Sequence, residues 1–411
     1  MQLGELAEKL ELWAKKSEQK TRQLPKAAEL VIPDIRYKGE SLRQMIGVKS
    51  IQNIYDSENR KRLPPPDLDA KGNRLGYTLN QINHARKVFG INNGRHDGDP
   101  AVTLVVTNYK GGCTKTTSAW NLATYLASQG KKVLVGDLDA QGTLTRHLGY
   151  MSDSEITYED TLAVFILGQE EPTVENVRKI IRPVPRIENL HLIPACLDYH
   201  VVETKLTADT FKSASVSRDL DLTRAMFLRV REALAQIKND YDVVILDGTP
   251  SAGMLPMNMI FAADEVVVPI PMEPADYCST SAFLRIFSDN LHSLIDSGVF
   301  SAAEKMPNFT AMGTKFQPRQ TKISSQIQNE FMEPVFQDDL LQNCVHRHDA
   351  IISNLSLYCR TVFEVNEGEL GIDKKAFVRA KETFGAVFEE ICERCIYPYW
   401  DEYRRAKEME V

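Results

Sequence analysis

The chain has 411 residues, of which 43% are hydrophobic and 26% charged, with a net charge of −7. That is the balance of a folded polypeptide of two or three domains with enough apolar side chains for a large core. No apolar run approaches the roughly 18–20 residues that span a bilayer, and the first residues lack the basic-then-apolar layout of a signal peptide. The seven scattered cysteines suit a reducing cytoplasm rather than a disulfide framework.

In chain order, residues 1–24 predict one helix: Leu3, Leu6, Leu10 and Trp13 fall on a single stripe at spacings of three and four. The stripe suits packing against a second copy or against the chain itself, making 1–30 a candidate dimerisation element. Pro25 and Pro33 interrupt the pattern. Residues 40–60 then predict a short helix ending at Gly47, a three-residue turn and a second helix, which is the helix-turn-helix signal. In such a unit the second helix enters the major groove, its early polar residues reaching base edges; here these are Ser50, Gln52 and Asn53, with Asp56 behind them. Residues 69–77 predict two short strands about a tight turn, a wing. Arg60, Lys61, Arg62, Lys71 and Arg74 are placed to neutralise phosphates, an affinity contribution largely blind to sequence. Residues 1–99 hold 18 Lys/Arg against 13 Asp/Glu, so a basic front sits on an acidic body, as expected where the front meets a polyanion. Residues 78–89 predict a closing helix. Residues 90–100 read as a polar, Gly-rich linker, giving a winged helix-turn-helix domain over 31–92 and a second domain over 100–411.

The second domain opens with an apolar run, residues 101–106, that predicts a buried strand. Asn108-Tyr-Lys-Gly-Gly-Cys-Thr-Lys-Thr-Thr117 follows, and residues 118–127 predict a helix. A Gly-rich turn between strand and helix presents backbone N–H groups at the positive end of a helix dipole, a geometry that fits phosphate. In P-loop chemistry Lys115 serves the β- and γ-phosphates and Thr116 serves Mg²⁺, with Gly111, Gly112, Cys113, Thr114 and Thr117 completing the loop. The usual pattern has Gly directly before that lysine; this chain has Thr114, and a second lysine, Lys110, opens the loop. A second strand, 132–137, ends in Asp137-x-Asp139, and carboxylates at the carboxyl ends of parallel strands face the ligand crevice. A third strand ends in Asp247, a Walker B carboxylate that would hold Mg²⁺ through water. Further strands are predicted at 190–195, 265–271 and 309–314, and helices at 222–238 and 275–296. Strands separated by helices make a mostly parallel twisted sheet covered on both faces, an α/β fold. Cys392 and Cys395, the only close cysteine pair, lie in a helical pattern and read as packed helix.

The Lys-Gly-Gly-x-x-Lys-Thr-Thr loop resembles the deviant Walker A motif of the ParA/MinD class of ATPases. The stretch Gly76-Tyr-Thr-Leu-Asn-Gln-Ile-Asn-His-x-Arg-x-Val-Phe-Gly90, following a winged helix-turn-helix, looks like the front of the large ParA-type plasmid partition ATPases, and the similarity runs from about residue 40 to the C-terminus. The resemblance implies an ATP/ADP- and Mg²⁺-dependent, weakly hydrolysing ATPase that acts as a homodimer, sandwiching two ATP molecules with Lys110 of each subunit on the other's phosphates. It also implies that Asp137 lies near Mg²⁺, that Asp139 positions the attacking water, and that Thr314 and Lys315 lie near the nucleotide base. It implies a ParB-type centromere-binding partner, operator binding by the winged domain with repression of its own operon, and nucleoid-associated action in a bacterial cytoplasm away from membranes. Sequence-independent DNA binding in this family uses basic residues in the region here spanning 345–381: Arg347, Arg360, Lys374 and Lys375, beside a His-rich cluster that is mostly neutral at pH 7.

Three other readings are weighed. A membrane-positioning ATPase of the MinD kind needs a basic amphipathic C-terminal helix, whereas the tail mixes signs and contains Pro398. An electron-transfer ATPase like nitrogenase iron protein needs a cysteine set for an iron–sulfur cluster. A transcription factor whose P-loop only senses nucleotide would show no turnover.

Overall fold

In a computed structural model the described residues are 34–401 apart from 153, 218, 252, 318–320 and 367–370, together with 9, 12, 13 and 16. The expected N-terminal helical stripe therefore lies largely outside the described residues, as do the last ten residues of the tail.

Seven strands form one sheet: β1 (Val102–Val106), β2 (Val133–Asp137), β3 (Arg182–Pro183), β4 (Leu190–Ile193), β5 (Val243–Asp247), β6 (Glu265–Pro271) and β7 (Asn308–Thr314), ordered β3-β4-β2-β5-β1-β6-β7. All neighbours are parallel except β3, which runs antiparallel to β4 at the edge. Every residue of β1, β2, β5 and β6 is buried, because helices cover both faces and an unbroken apolar run is what such a strand requires. Two large clusters fill the faces. One centres on Phe227, Phe261, Phe283 and Phe300, the other on Trp120, Phe377, Phe384 and Phe388. No described helix is long and apolar enough to cross a membrane.

The front residues build a third, smaller core from Leu42, Ile46, Val48, Ile54, Leu63, Tyr77, Ile82 and Ala85. Helix Gly39–Ile46 stops at Gly47, whose φ of +92° is the left-handed C-cap a glycine adopts at little cost. Helix Ile51–Asn59 starts from Ser50, whose side chain accepts from the Gln52 backbone N–H. Residues 69–77 form a tight turn without the two strands expected: Asp69 N–H donates to the Asn73 carbonyl at 2.8 Å, and Leu68 bridges Arg74 antiparallel. Helix Leu79–Phe89 begins with a Thr78/Gln81 capping box. It straddles two cores, with Ile82 and Ala85 in the front cluster and Leu79 in the cluster over the sheet.

Residues 90–100 differ from the linker expectation. They are strapped to the foot of the sheet. The Arg95 guanidinium donates to the carbonyls of Tyr241, Asp99 and Asn239, and its backbone N–H reaches Asp242 Oδ1 at 3.1 Å. A Cβ on Gly94 would lie 2.4 Å from Asp242 Oδ2, so glycine there serves close approach rather than slackness. Asp99 is buried and accepts from the backbone N–H of Asp401 at 2.7 Å.

Candidate functional site

Register places the site. Asp137 at the end of β2 pairs with Asp247 at the end of β5, and Val106 at the end of β1 pairs with the same Asp247. The loop leaving β1 therefore begins beside two carboxylates, at the carboxyl edge where open parallel sheets bind ligands. Asn108 is fully buried and fixes the start of the loop: its Nδ2 donates to the Pro269 carbonyl at 2.8 Å and Thr280 Oγ1 at 3.0 Å, while its Oδ1 accepts from Lys110 N–H at 3.2 Å. The loop then turns through Gly112 at φ +73° and Thr114 at φ +73°, and helix Lys115–Ser128 begins. That conformation is uncommon for a β-branched residue, so the threonine standing where glycine is usual carries backbone strain at the mouth of the helix.

Lys115 is buried, and its Nζ donates to the Lys110 carbonyl at 3.0 Å, folded against the loop it would share with phosphate. Gly111 and Gly112 are exposed, with no atom within 4 Å of where a Cβ would stand. This is open space of the kind a phosphate needs at a helix N-terminus. Cys113 is buried, its thiol 3.8 Å from the Lys115 amine; burial raises its pKa against the pull of Lys115. Thr116 and Thr117 are half-buried in the first helical turn.

Burial raises the pKa of both carboxylates, Asp137 to about 6, and repulsion from the Asp137 carboxylate raises Asp247 further. They differ in their partners. Asp137 Oδ2 accepts from the Thr145 backbone N–H and Oγ1, both at 2.8 Å, and Oδ1 accepts from Asp139 N–H at 3.1 Å. Both oxygens of Asp247 are buried with no hydrogen-bond partner, although Thr116 lies close enough to draw its pKa down. A buried, unpartnered carboxylate is costly, and a divalent cation between Asp247 and Thr116 would relieve it. No group of three or more His, Cys, Asp or Glu residues forms a metal cage among the described residues. The donor set thus suits Mg²⁺, held by one or two protein oxygens with phosphate and water completing the shell. Asp139 is half-buried, its Oδ1 accepting from Gln141 N–H at 2.9 Å.

Asp276 escaped the sequence reading. It lies in the first turn of helix Pro274–Asp296, is 7% exposed, and meets Lys110 Nζ at 3.2 Å with one oxygen and Lys315 Nζ at 3.8 Å with the other. Lys110 is thus held within its own chain, and Lys315, at φ +56°, is brought to the loop. The signal that could have found Asp276 is the one used for Asp137 and Asp247: an acid just beyond the carboxyl end of a buried strand. Thr314 ends β7, is buried, and has an unpartnered hydroxyl.

The DNA candidates fall into two groups. Ser50, Gln52, Asn53, Arg60, Lys61, Arg62, Lys71 and Arg74 are all exposed on the front domain. Ser50 is occupied as a helix cap, Gln52 Nε2 donates to Asp56 Oδ1 at 2.9 Å, and Arg74 is paired with Glu58 Oε1 at 2.5 Å and lies over the Tyr55 ring. In the second group, Lys374 and Lys375 are exposed in the first turn of helix Lys374–Ile391. Arg347 is exposed but paired with Glu273 at 3.0 Å and Asp349 at 2.6 Å. Arg360 corrects the expectation: it is 6% exposed, packed beside Arg186 and Glu364 where the front domain meets the body, and is therefore not presented to DNA. His348 is pulled down to about 4 by burial, and His346 is lowered too, so the His-rich cluster carries no charge at neutral pH.

A phosphate cradle with two lysines, set against two buried carboxylates on a parallel sheet, defines a P-loop nucleotide-binding protein of the deviant Walker A kind, a class whose cofactors are ATP or ADP and Mg²⁺. The model of a family described as an AAA domain matches residues 101–290. Protein SopA of Escherichia coli (strain K12) is 32% identical over 369 residues, which cover 87% of each chain. The chromosome-partitioning ATPase Soj of Treponema pallidum is 36% identical over 171 residues, 42% of this chain and 57% of that one. A solved structure described as a partition protein superposes with a TM-score of 0.63, covering 94% of this chain and 98% of that one at 18% identity, a likeness of fold. The chain belongs to the ParA-type partition ATPase family.

Proposed function

We propose that the chain is an ATP-hydrolysing plasmid partition protein that binds DNA according to its nucleotide state and positions plasmid copies in the bacterial cytoplasm, over the nucleoid. The observation that carries this reading is the convergence of Lys110, Lys115, Thr116 and the unpartnered Asp247 on one open cradle, in a chain whose front residues build a separate small core. ATP is gripped by loop amides and Lys115, Thr116 and Asp247 hold Mg²⁺, and Asp139 aligns water for in-line attack on the γ-phosphate. Hydrolysis is weak because the arrangement is completed only in a homodimer, when Lys110 leaves Asp276 and reaches the partner's phosphates. A ParB-type centromere-binding protein and DNA stimulate turnover. The winged helix reads an operator, with repression of the chain's own operon, while Arg347, Lys374 and Lys375 contribute charge toward bulk DNA.

The test is binding of the full chain to operator and to bulk DNA with no nucleotide, ADP or ATP. The reading expects at least one of the two affinities to change severalfold with nucleotide, and ATP turnover that rises with DNA and partner protein. Identical binding in all three states, with no turnover, would overturn it.

A further inference from the structure

Arg86 stands apart from every other arginine of the front domain. It is 4% exposed and has no carboxylate partner among the described residues. Its guanidinium donates to neutral oxygens only: to the Met45 carbonyl through Nε at 3.0 Å and through Nη2, and through Nη1 to Asn83 Oδ1 at 2.8 Å and the Ser128 carbonyl at 3.1 Å. Met45 lies in the last turn of helix Gly39–Ile46, the first helix of the helix-turn-helix, and Ser128 is the last residue of the P-loop helix Lys115–Ser128. Two helix C-termini, each the negative end of a dipole, therefore share one buried cation. Gly130, at φ +96°, makes room for it, since a Cβ there would lie 2.7 Å from Arg86 Nη1. A second thread runs alongside: Asn83 Nδ2 donates to Asn189 Oδ1 at 2.9 Å, and Asn189 Nδ2 donates to the carbonyls of Ala127 at 2.8 Å and Lys131 at 2.6 Å.

The other end of the same P-loop helix carries Lys115 and Thr116. Its 14 residues make a rod of about 21 Å, so a shift or tilt imposed on its N-terminus by bound phosphate arrives at Ser128. A lysine could not replace Arg86, because only the planar fork reaches both carbonyls at once. Apolar packing would join two domains at lower desolvation cost than a buried guanidinium. What the guanidinium adds is directional registration of the two helix ends.

We propose that Arg86 is the positioning residue that couples the nucleotide site to the DNA-reading helix pair, by holding the C-termini of the P-loop helix and of the first helix-turn-helix helix in one register. The proposal rests on the nucleotide-dependent DNA binding argued above, and its test separates the two. A duplex selected from a random pool by the wild-type chain is titrated by fluorescence anisotropy against full-length wild type, Arg86→Met, Arg86→Lys and Asn83→Ala, each without nucleotide, with ADP and with a non-hydrolysable ATP analogue. Thermal melts report folding. In folded variants of Arg86, nucleotide affinity should stay within about twofold of wild type, while the ratio of DNA affinities between nucleotide states falls from severalfold toward 1. Because coupling between two bound ligands is reciprocal, the duplex should also cease to alter nucleotide affinity. Should both Arg86 variants fail to fold, Asn83→Ala carries the test, since it removes one partner of the guanidinium and the thread to Asn189. A wild-type ratio of 1 overturns the nucleotide-dependent reading itself. A wild-type ratio of severalfold that every folded variant retains overturns the role of Arg86 alone.

Discussion

Lys115 and Asp247 carry opposite kinds of cost in the nucleotide-free chain. Lys115 already has a partner in the Lys110 carbonyl, so removing its amine leaves little unsatisfied in the fold while taking away the phosphate contact. Lys115→Ala should keep the melting temperature within a few degrees and abolish ATP binding, read by fluorescent-nucleotide titration. Asp247 is the reverse case. Its two oxygens are buried without partners, and an uncompensated buried carboxylate destabilises the fold. Asp247→Asn should raise the melting temperature of the metal- and nucleotide-free protein, by roughly 2–4 °C for each kcal/mol of relieved desolvation, and eliminate Mg²⁺-dependent turnover. A lowered melting temperature would show that the site is not strained for a cation. The role proposed for Asp139 has room in the structure, because one of its oxygens is tied to Gln141 N–H and the other is not. Asp139→Ala should retain ATP and accumulate the ATP-bound dimer, seen by size-exclusion chromatography with turnover at least tenfold down.

The P-loop helix is anchored along its length as well as at its ends. Trp120 stacks on His147 at 4.2 Å between ring centroids. Burial pulls the His147 pKa from 6.5 to about 4. A histidine depressed on folding contributes stability that is whole above the unfolded value of 6.5 and is lost as pH falls toward 4, because the unfolded chain takes up the proton first. The loss attributable to this ring at pH 5 is about 2 kcal/mol. His147→Phe keeps the stack and removes the proton site, so urea denaturation at pH 7 and pH 5 should show a smaller drop in the variant. An equal drop would place the acid sensitivity elsewhere, with His348 the next candidate. At this scale much of the fold was legible. β1, β2, β5 and β6 are apolar runs with turn residues at their ends, and the capping box at Thr78 and glycines at 47 and 90 mark the front helices in one dimension. β3 was not legible because two residues have no period. Asp276, Arg86 and Asn108 were not assigned roles because their meaning lies in partners distant in the chain, such as Lys315, Ser128 and Thr280.

Across the whole molecule, charge and attachment decide how the proposed DNA-binding front behaves. Arg60, Lys61 and Arg62 are exposed just after helix Ile51–Asn59. Replacing all three with Ala should lower the slope of log affinity against log salt by about 3 and leave nucleotide affinity unchanged. An unaltered slope would remove this stretch from the interface. The front residues gather around a small core of their own, and the polar, Gly-rich stretch read as a linker after them is hydrogen-bonded to the sheet, because such composition does not distinguish a spacer from a segment tied down by distant partners. The partners of that segment, Asn239, Tyr241, Asp242 and Asp401, lie far downstream. During synthesis the small N-terminal unit leaves the ribosome first, yet its clasp is not yet translated. A nascent chain halted before residue 239 would therefore hold its front unit only through earlier contacts such as those to Ser128, Arg186 and Asn189, with the strap over 90–100 still unfastened until its downstream partners have emerged.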